Sequence, residues 1–185
     1  MKKITGALSI VVALLLSCNQ QTQTDSAASA ETEVVSGQES VKDDESQKDI
    51  VKVAVGSKDH TTLVAALKQG ELVTALSNAG PFTVFAPTNA AFDKLPAGTV
   101  DGLMKDGSKA DLQNILQYHV ALAVYKAESM KDGQVIGQAN GDNITISVKD
   151  GKVMVNGTAT IVASIPASNG IIHVIDAVLL PPVKK

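Results

Sequence analysis

Two histidines and one carboxylate are the residues of this sequence whose types could carry out chemistry. His119 and His173 could act as general bases or metal ligands, and Asp176 could orient a base. A hydrolytic site needs a nucleophile, a base and an orienting group within reach of one another. Alternate side chains of a strand point to opposite faces, so His173 and Asp176 would face apart. Their spacing therefore does not predict a catalytic pair.

Hydroxyl groups that could serve as a nucleophile belong to Thr88, Ser164 and Ser168, but none of them lies in a G-x-S-x-G pattern. His, Cys and carboxylate residues nowhere show the spacing of a metal site, and His60 stands alone in a predicted loop. We expect each buried histidine to be neutral and hydrogen-bonded to a backbone carbonyl or a hydroxyl group. The sequence therefore predicts a non-catalytic protein that uses no metal and no cofactor.

The composition narrows the class of protein further. Hydrophobic residues make up 44% of the 185 residues but aromatic residues only 3%, so the core must be aliphatic. The 16 basic residues are all Lys, and the formal net charge is -3 at pH 7. Arg is the usual residue for bidentate contacts to phosphates and base edges. An acidic chain without Arg is not expected to bind nucleic acid.

The N-terminal part of the chain carries signals for export and anchoring. Lys2 and Lys3 precede an apolar run of about ten residues, which is too short to span a membrane and is typical of a signal peptide, assigned to residues 1–17. The motif LLSC at its end resembles a bacterial lipobox, which predicts a lipid anchor in the membrane at Cys18. Residues 18–47 contain seven acidic residues and one Lys, and we expect them to form a disordered linker.

Helical periodicity and capping residues place the predicted helices. Apolar residues at helical spacing predict a helix over residues 57–79 that is divided at Gly70. Thr88 and Thr99 are expected to cap two short helices, and Ser108 to open a capping box at the start of a longer one. That longer helix ends near His119, whose spacing places it on the apolar face, pointing inward.

The second half of the chain has the pattern of strands. Asp150-Gly151 lies between two alternating runs and predicts a hairpin turn. The last apolar run has no polar face, which favours a buried, central strand. Strands are predicted over residues 82–86, 134–139, 143–149, 152–155, 158–163 and 171–180.

Three separated blocks resemble the fasciclin (FAS1) domain: GPFTVFAPTNAAF at 80–92, LQYHV at 116–120 and NGIIHVIDAVLLP at 169–181. The resemblance covers residues 48–182 as one domain and leaves 183–185 as a short C-terminal tail. It implies an α/β (α+β) fold, in which a wedge of two β-sheets has several α-helices packed around it.

The resemblance also implies roles for particular residues. Tyr118 and His119 match the family's Tyr-His motif, which is implicated in adhesion in animal members, and are the candidate interaction residues. Structural roles are implied for residues of the first and last blocks: Thr83, Pro87, Thr88, Asn89, Phe92, Asn169, Gly170, His173 and Asp176.

FAS1 domains are adhesion and matrix-interaction modules. The resemblance therefore implies a non-catalytic lipoprotein of the cell envelope that contacts a surface or matrix protein or a glycan. A periplasmic module for small-ligand binding or signalling is the alternative, and a weak enzyme is a third. A large enclosed apolar pocket would favour the alternative, whereas a shallow surface with exposed apolar residues would favour adhesion. Asn19, directly after the predicted anchor, favours the outer membrane, facing either the periplasm or the exterior.

Overall fold

The computed structural model describes residues 47–182, and the predictions for the signal peptide, Cys18, the linker and the tail lie outside these residues. The helices of the described part are α1 (Ile50–Val55), α2 (Thr61–Gln69), α3 (Val73–Ser77), α4 (Asn89–Asp93), α5 (Thr99–Leu103) and α6 (Lys109–Tyr118). The strands are β1 (Phe82–Pro87), β2 (Val120–Ala121), β3 (Val135–Gly137), β4 (Asn143–Lys149), β5 (Lys152–Val155), β6 (Ala159–Ala167) and β7 (Gly170–Ile175). None of these helices has the length and apolarity that crossing a membrane requires.

The strands form one sheet in the order β2-β1-β7-β6-β5-β4-β3. β1 and β7 run parallel, and every other neighbouring pair is antiparallel. The two ends of this order meet, because the amide of Ala139, just after β3, donates to the carbonyl of Val120 in β2 at 2.7 Å. The sheet is therefore curled so that its first and last strands come together.

Two hydrophobic cores lie on opposite sides of β1 and β7, because side chains alternate along a strand. Val84 and Ile172 belong to the first core, which is shared with α1, α2, α3 and α6. Phe85 and Ile175 belong to the second core, which they share with side chains of β3, β4 and β5. The predicted α+β class and the single domain are confirmed for the described residues. The resemblance implied a wedge of two separate sheets. In the structure, these are two halves of one hydrogen-bonded sheet, and they face each other across the second core.

Several local patterns led to correct predictions. Ile144 and Ile146 in β4 are buried while Thr145 between them is exposed, as the alternation predicts. Asp150 and Gly151 have φ values of 51° and 73°, which is the left-handed backbone of the predicted hairpin turn. β7 lies between β1 and β6, which confirms that the last apolar run forms a central strand.

The predicted division of the first long helix at Gly70 is also confirmed, because α2 ends there. A Cβ atom at this position would lie 2.8 Å from Cδ1 of Leu116, so the absence of a side chain lets α2 approach α6 closely. The next residue, Glu71, has a φ of 55°, which turns the chain into α3.

Several boundary predictions are wrong. The strand predicted over residues 158–163 continues as β6 to Ala167, because it pairs with β7 along that length. Thr99 is the first residue of α5 and not its cap, because Gly98, with a φ of 82°, makes the turn before it. Ser108 precedes α6 but its side chain makes no capping hydrogen bond. The last strand ends at Ile175 and not at residue 180, because the chain then leaves the sheet and the amide of Leu179 bonds a side chain at the end of α6.

Helix α1 was not predicted. Its six residues, IVKVAV, are too few to show a helical period and are rich in β-branched residues. The helix is started by Asp49, whose carboxylate accepts from the amide of Lys52 at 2.8 Å, and it is held by burial of Ile50, Val51 and Ala54.

Candidate functional site

Tyr118 and His119, the candidate interaction residues, are both buried, with 2% and 3% of their surface exposed. Tyr118 belongs to the second core. Its hydroxyl donates to the carbonyl of Asn143 at 3.0 Å and accepts from the side-chain amide of Asn156 at 2.9 Å. The phenol therefore ties the end of α6 to β4 and to the turn after β5. Neither motif residue presents its side chain to solvent.

His119 connects α6 to the C-terminal segment. Its Nδ1 atom lies 2.8 Å from the carbonyl oxygen of Ile115, which can only accept, so Nδ1 carries the proton. Its Nε2 atom accepts from the amide of Leu179 at 3.0 Å and is therefore unprotonated. Burial lowers the pKa of His119 to about 4, against the opposing effect of the hydrogen bond to Ile115. The ring is neutral near pH 7, and it positions the segment that contains Leu179.

His173 is held in the opposite tautomer. Its Nε2 atom donates to the carbonyl of Tyr125 at 2.7 Å, and its Nδ1 atom accepts from the hydroxyl of Ser164 at 2.8 Å. Burial lowers the pKa of His173, while the hydrogen bond to Tyr125 and the charge of Glu128 act in the other direction. His119 and His173 are thus satisfied by backbone and hydroxyl groups, which confirms the prediction for buried histidines.

Ser164 and His173 are the one pair of the predicted hydroxyl and histidine groups that the described structure joins by a hydrogen bond. The third member of a triad is missing from this pair, because the carboxylate of Asp176 accepts from the amide of Thr160 at 2.7 Å instead. The group that orients His173 is a backbone carbonyl. Across residues 47–182, no three His, Cys, Asp or Glu side chains come close enough together to hold a metal ion.

The block GPFTVFAPTNAAF forms the corner between β1 and α4. The Thr88 hydroxyl accepts from the amide of Ala91 at 3.3 Å, so the predicted N-cap is confirmed. Asn89 reaches across to the start of α2, where it accepts from the amide of Thr62 at 3.1 Å and donates to the carbonyl of Lys58 at 3.0 Å. Pro87 ends β1, and Phe92 packs against the first core. The polar residues of the block therefore hold neighbouring elements together.

Asn169 and Gly170 join the β6–β7 turn to the helices. The Asn169 side chain is buried, accepts from the amide of Ile50 at 3.0 Å and donates to two carbonyl oxygens at the end of α3, at 2.7 and 2.9 Å. A Cβ atom on Gly170 would overlap the carbonyl oxygen of Phe82, so only glycine fits there. The implied structural roles of both residues agree with these contacts.

Thr83 holds a segment that we call the strap, residues 122–126, against the sheet face that also carries His173. The Thr83 side chain is fully buried. Its hydroxyl donates to the carbonyl of Ala123 at 2.6 Å and accepts from the amide of Tyr125 at 2.9 Å. The Tyr125 carbonyl accepts the third bond, from His173. Two buried side chains thus fix the path of the strap.

The strap exposes apolar side chains although its backbone is fixed. Leu122 is 65% exposed and Val124 is 47% exposed. Sequence reasoning missed these two residues as functional candidates. Their alternation with Ala123 and Tyr125 indicates an extended segment, but only the contacts made by Thr83 and His173 decide which side faces solvent.

His60 lies in the short turn that leads into α2, and it is buried. Its Nδ1 atom lies 2.8 Å from the Ser57 hydroxyl, whereas its Nε2 atom makes no hydrogen bond of standard geometry within the described residues. Burial lowers the pKa of His60, against the opposing effects of the Asp59 charge and the Ala86 backbone.

Two cavities with apolar walls lie beside the first core. One, which we call the α1–β6 cleft, has a volume of about 20 Å³ and lies between Val53 and Ala54 of α1 and Ile165 of β6, with His60 in its wall. The other has a volume of about 30 Å³ and lies under α5, next to His119. A cavity near 150 Å³ is needed to hold a molecule about the size of benzene, whereas each of these has room for about one or two water molecules.

Comparison with known proteins agrees with this architecture. The chain is 53% identical over 133 residues to protein sll1483 of Synechocystis sp., which covers 72% of this chain and 73% of that protein. It is 36% identical over 136 residues to the transforming growth factor-beta-induced protein ig-h3 of Sus scrofa, which covers 74% of this chain and 20% of that protein.

A solved FAS1 domain pair from the insect cell adhesion molecule Fasciclin I superimposes with a TM-score of 0.62 at 19% identity, covering 72% of this chain and 51% of that one. The chain thus spans about half of the solved pair, and the likeness concerns the fold. The family model described as the fasciclin domain matches residues 58–181. Because that match takes in most of the chain and agrees with the curled sheet and its two cores, the chain belongs to the fasciclin domain family.

Proposed function

We propose that this chain is a lipoprotein of the cell envelope whose single fasciclin domain makes adhesive contact with a surface or matrix protein or a glycan, without catalysis. The observation that carries this proposal is the strap, in which Leu122 and Val124 face solvent while Thr83 and His173 fix the backbone beneath them. Exposed apolar side chains on a fixed backbone suit a binding surface, since little conformational freedom is lost on contact.

The Tyr-His motif has an indirect role in this proposal. Tyr118 and His119 are buried and cannot touch a partner without unfolding of their surroundings. They directly precede β2 and the strap, so they position the contact surface and do not form it. Substitution of either residue would disturb adhesion through the fold.

The anchor and spacer complete the proposal. A lipid at Cys18 would hold the chain in a membrane, for which the outer membrane is favoured by Asn19. The linker predicted for residues 18–47, if flexible over its 30 residues, would have an r.m.s. span of about 30 Å. That distance lets the domain reach beyond the lipid headgroups.

The alternative, a periplasmic module for a small ligand, has less support. The two cavities described above measure about 20 and 30 Å³, and their walls are apolar apart from Ser57, His60 and His119. Neither has the size of a ligand site, whereas the exposed residues of the strap meet the expectation for adhesion.

The proposal is tested on cells that produce the full chain, cells that lack it, and cells that produce the Cys18→Ala variant. Radiolabelled palmitate should label the first strain and not the variant. Retention of cells on a protein-coated or glycan-coated surface under flow should be highest for the first strain, and protease treatment of intact cells should abolish the difference if the domain faces the exterior. Equal labelling of the variant would contradict the anchor, and equal retention of all three strains on every coating would contradict adhesion.

A further inference from the structure

One side of strand β6 pairs with β7. The other side is open over much of its length. β5 pairs with β6 only at Ala159 and Thr160, whereas β7 pairs with β6 as far as Ala167. The far end is covered, because the amide of Ser168 donates to the carbonyl of Lys48, just before α1. Between these points, no strand of the described residues lies beside β6 on this side. An open strand edge presents backbone N–H and C=O groups that another extended chain can satisfy.

The open edge is short and is limited at both ends. A register shift lies between Ile161 and Ala163, and Pro166 has no N–H to donate. Irregularities of this kind restrict strand addition to a few residues. Val162 lies within the open part and is 59% exposed, so an apolar side chain marks the edge.

The α1–β6 cleft lies beside this edge. Val53 of α1 and Ile165 of β6 are both partly exposed, so the cleft reaches the surface between the helix and the strand. At its wall, the Nε2 atom of His60 is buried and makes no hydrogen bond of standard geometry within the described residues. The small volume excludes a whole ligand but suits the tip of one aliphatic side chain after a slight opening. A helix, an open strand edge and an apolar cleft between them together fit an extended peptide segment with one apolar anchor.

The strap has the complementary properties. It is extended, it exposes Leu122 and Val124, and the amide and carbonyl of Val124 make no hydrogen bond within the described residues. The strap lies on the sheet face of Thr83 and His173. The cleft lies on the opposite face, that of Val84 and Ile172, so one molecule cannot fill its own cleft with its own strap.

We propose that the strap of one copy of this chain lies along the open edge of β6 in a second copy, with Leu122 at the mouth of the α1–β6 cleft. The contact joins two different surfaces, so it is head-to-tail and leaves a free strap and a free cleft at the ends of each assembly. One short segment buries little area, and such contacts are weak and transient unless many copies act together on a membrane. The inference rests on the proposed adhesive function, and it identifies the partner of the adhesive domain as a second copy of the same chain.

Substitutions at two exposed positions test the two surfaces of the contact independently. Leu122→Asp places a charge on the strap and leaves the cleft intact, whereas Val162→Asp places a charge on the open edge and leaves the strap intact. Both side chains are more than half exposed, at 65% and 59%, so neither change removes core packing. Val135→Asp, at a 60% exposed valine of β3, is the matched control.

The experiment is sedimentation velocity of the full chain in a mild non-ionic detergent at rising protein concentration, with far-UV circular dichroism to check the fold. The unsubstituted chain and Val135→Asp should increase in average mass with concentration. Leu122→Asp and Val162→Asp should each stay at one chain. A mixture of these two variants should regain association as one-to-one pairs, since each supplies the half that the other lacks.

Several results would overturn the inference. The first is that the unsubstituted chain remains a monomer at every concentration. The second is that association persists unchanged in Leu122→Asp or Val162→Asp. The third is that a mixture of the two variants fails to pair. If the purified chain does not self-associate while cells carrying it still adhere to coated surfaces, the second copy is the wrong partner and the adhesive function stands. If the chain self-associates while cells show no adhesion, the proposed function fails and the contact stands.

Discussion

Replacing Asn169 by Asp removes two hydrogen-bond donors while keeping the shape of the side chain. In the structure, the side-chain amide donates to two carbonyl oxygens at the end of α3, at 2.7 and 2.9 Å, and its oxygen accepts from the amide of Ile50 at 3.0 Å. The carboxylate of the Asn169→Asp variant would keep the third bond but would face two carbonyl oxygens. The residue is 8% exposed, so water cannot replace the lost donors.

The cost follows from these contacts. Each buried carbonyl left without a partner costs about 1–3 kcal/mol, and a carboxylate placed beside two carbonyls adds repulsion and desolvation. We expect the free energy of unfolding at neutral pH to fall by about 4 kcal/mol, a large share of the about 5–15 kcal/mol that stabilises a typical domain. The deficit should shrink as the pH is lowered, because the protonated carboxyl group can again donate one of the two bonds.

The assay is urea unfolding of the full chain followed by far-UV circular dichroism, with the m value checked for constancy. Asn156→Asp is the matched control, since Asn156 also precedes a glycine but is exposed and donates one bond, to Tyr118. The free energy of unfolding of the Asn156→Asp variant should fall by no more than about 1 kcal/mol. The reasoning about Asn169 fails if its substitution costs no more than that of Asn156, or if the deficit grows as the pH falls.

Other substitutions and conditions test single features. Thr88→Ala removes the cap of α4 and should lower the free energy of unfolding by about 1 kcal/mol; an unchanged melting temperature would contradict the cap. Because the pKa of His119 falls from 6.5 to about 4 on folding, the unfolded chain binds more protons between these values. Stability should therefore be complete above the unfolded pKa and decline by about 3 kcal/mol as the pH drops to the folded pKa, whereas flat urea midpoints would exclude this. Gly170→Ala should abolish folding or lower the melting temperature severely because the added Cβ atom would overlap the carbonyl oxygen of Phe82, whereas Gly102→Ala, in open space within α5, should raise stability by about 0.5–1 kcal/mol; equal effects in thermal unfolding would contradict the steric argument.

Local patterns predicted much of the fold. The alternation in β4, the turn at Asp150-Gly151, the cap at Thr88 and the break at Gly70 all depend on residues close together in sequence, and each is confirmed. The fasciclin blocks added the overall architecture. The errors lie where distant contacts decide, as at Ile175, where the chain leaves the sheet so that Leu179 meets the ring of His119.

The candidate site was less accessible to sequence reasoning. The inward orientation of His119 follows from its helical spacing, and its hydrogen bonding to a carbonyl was expected for any buried histidine. That Asn89 and Asn169 tie separate elements together depends on partners far away in sequence, for example Lys58 for Asn89 and Ile50 for Asn169. No local pattern identifies such partners.

The sequence by itself determined the aliphatic core, most of the helices and strands in their order, and the family, because periodicity, turn chemistry and short motifs act over a few residues. Only the tertiary structure decided that Tyr118 is buried while Leu122 and Val124 are exposed. That distinction depends on long-range hydrogen bonds: a hydroxyl in β1 and an imidazole in β7 fix a strap some 40 residues away along the chain from Thr83. Whether a side chain is buried depends on which surfaces pack together. It is therefore decided only when one sheet face has folded against another.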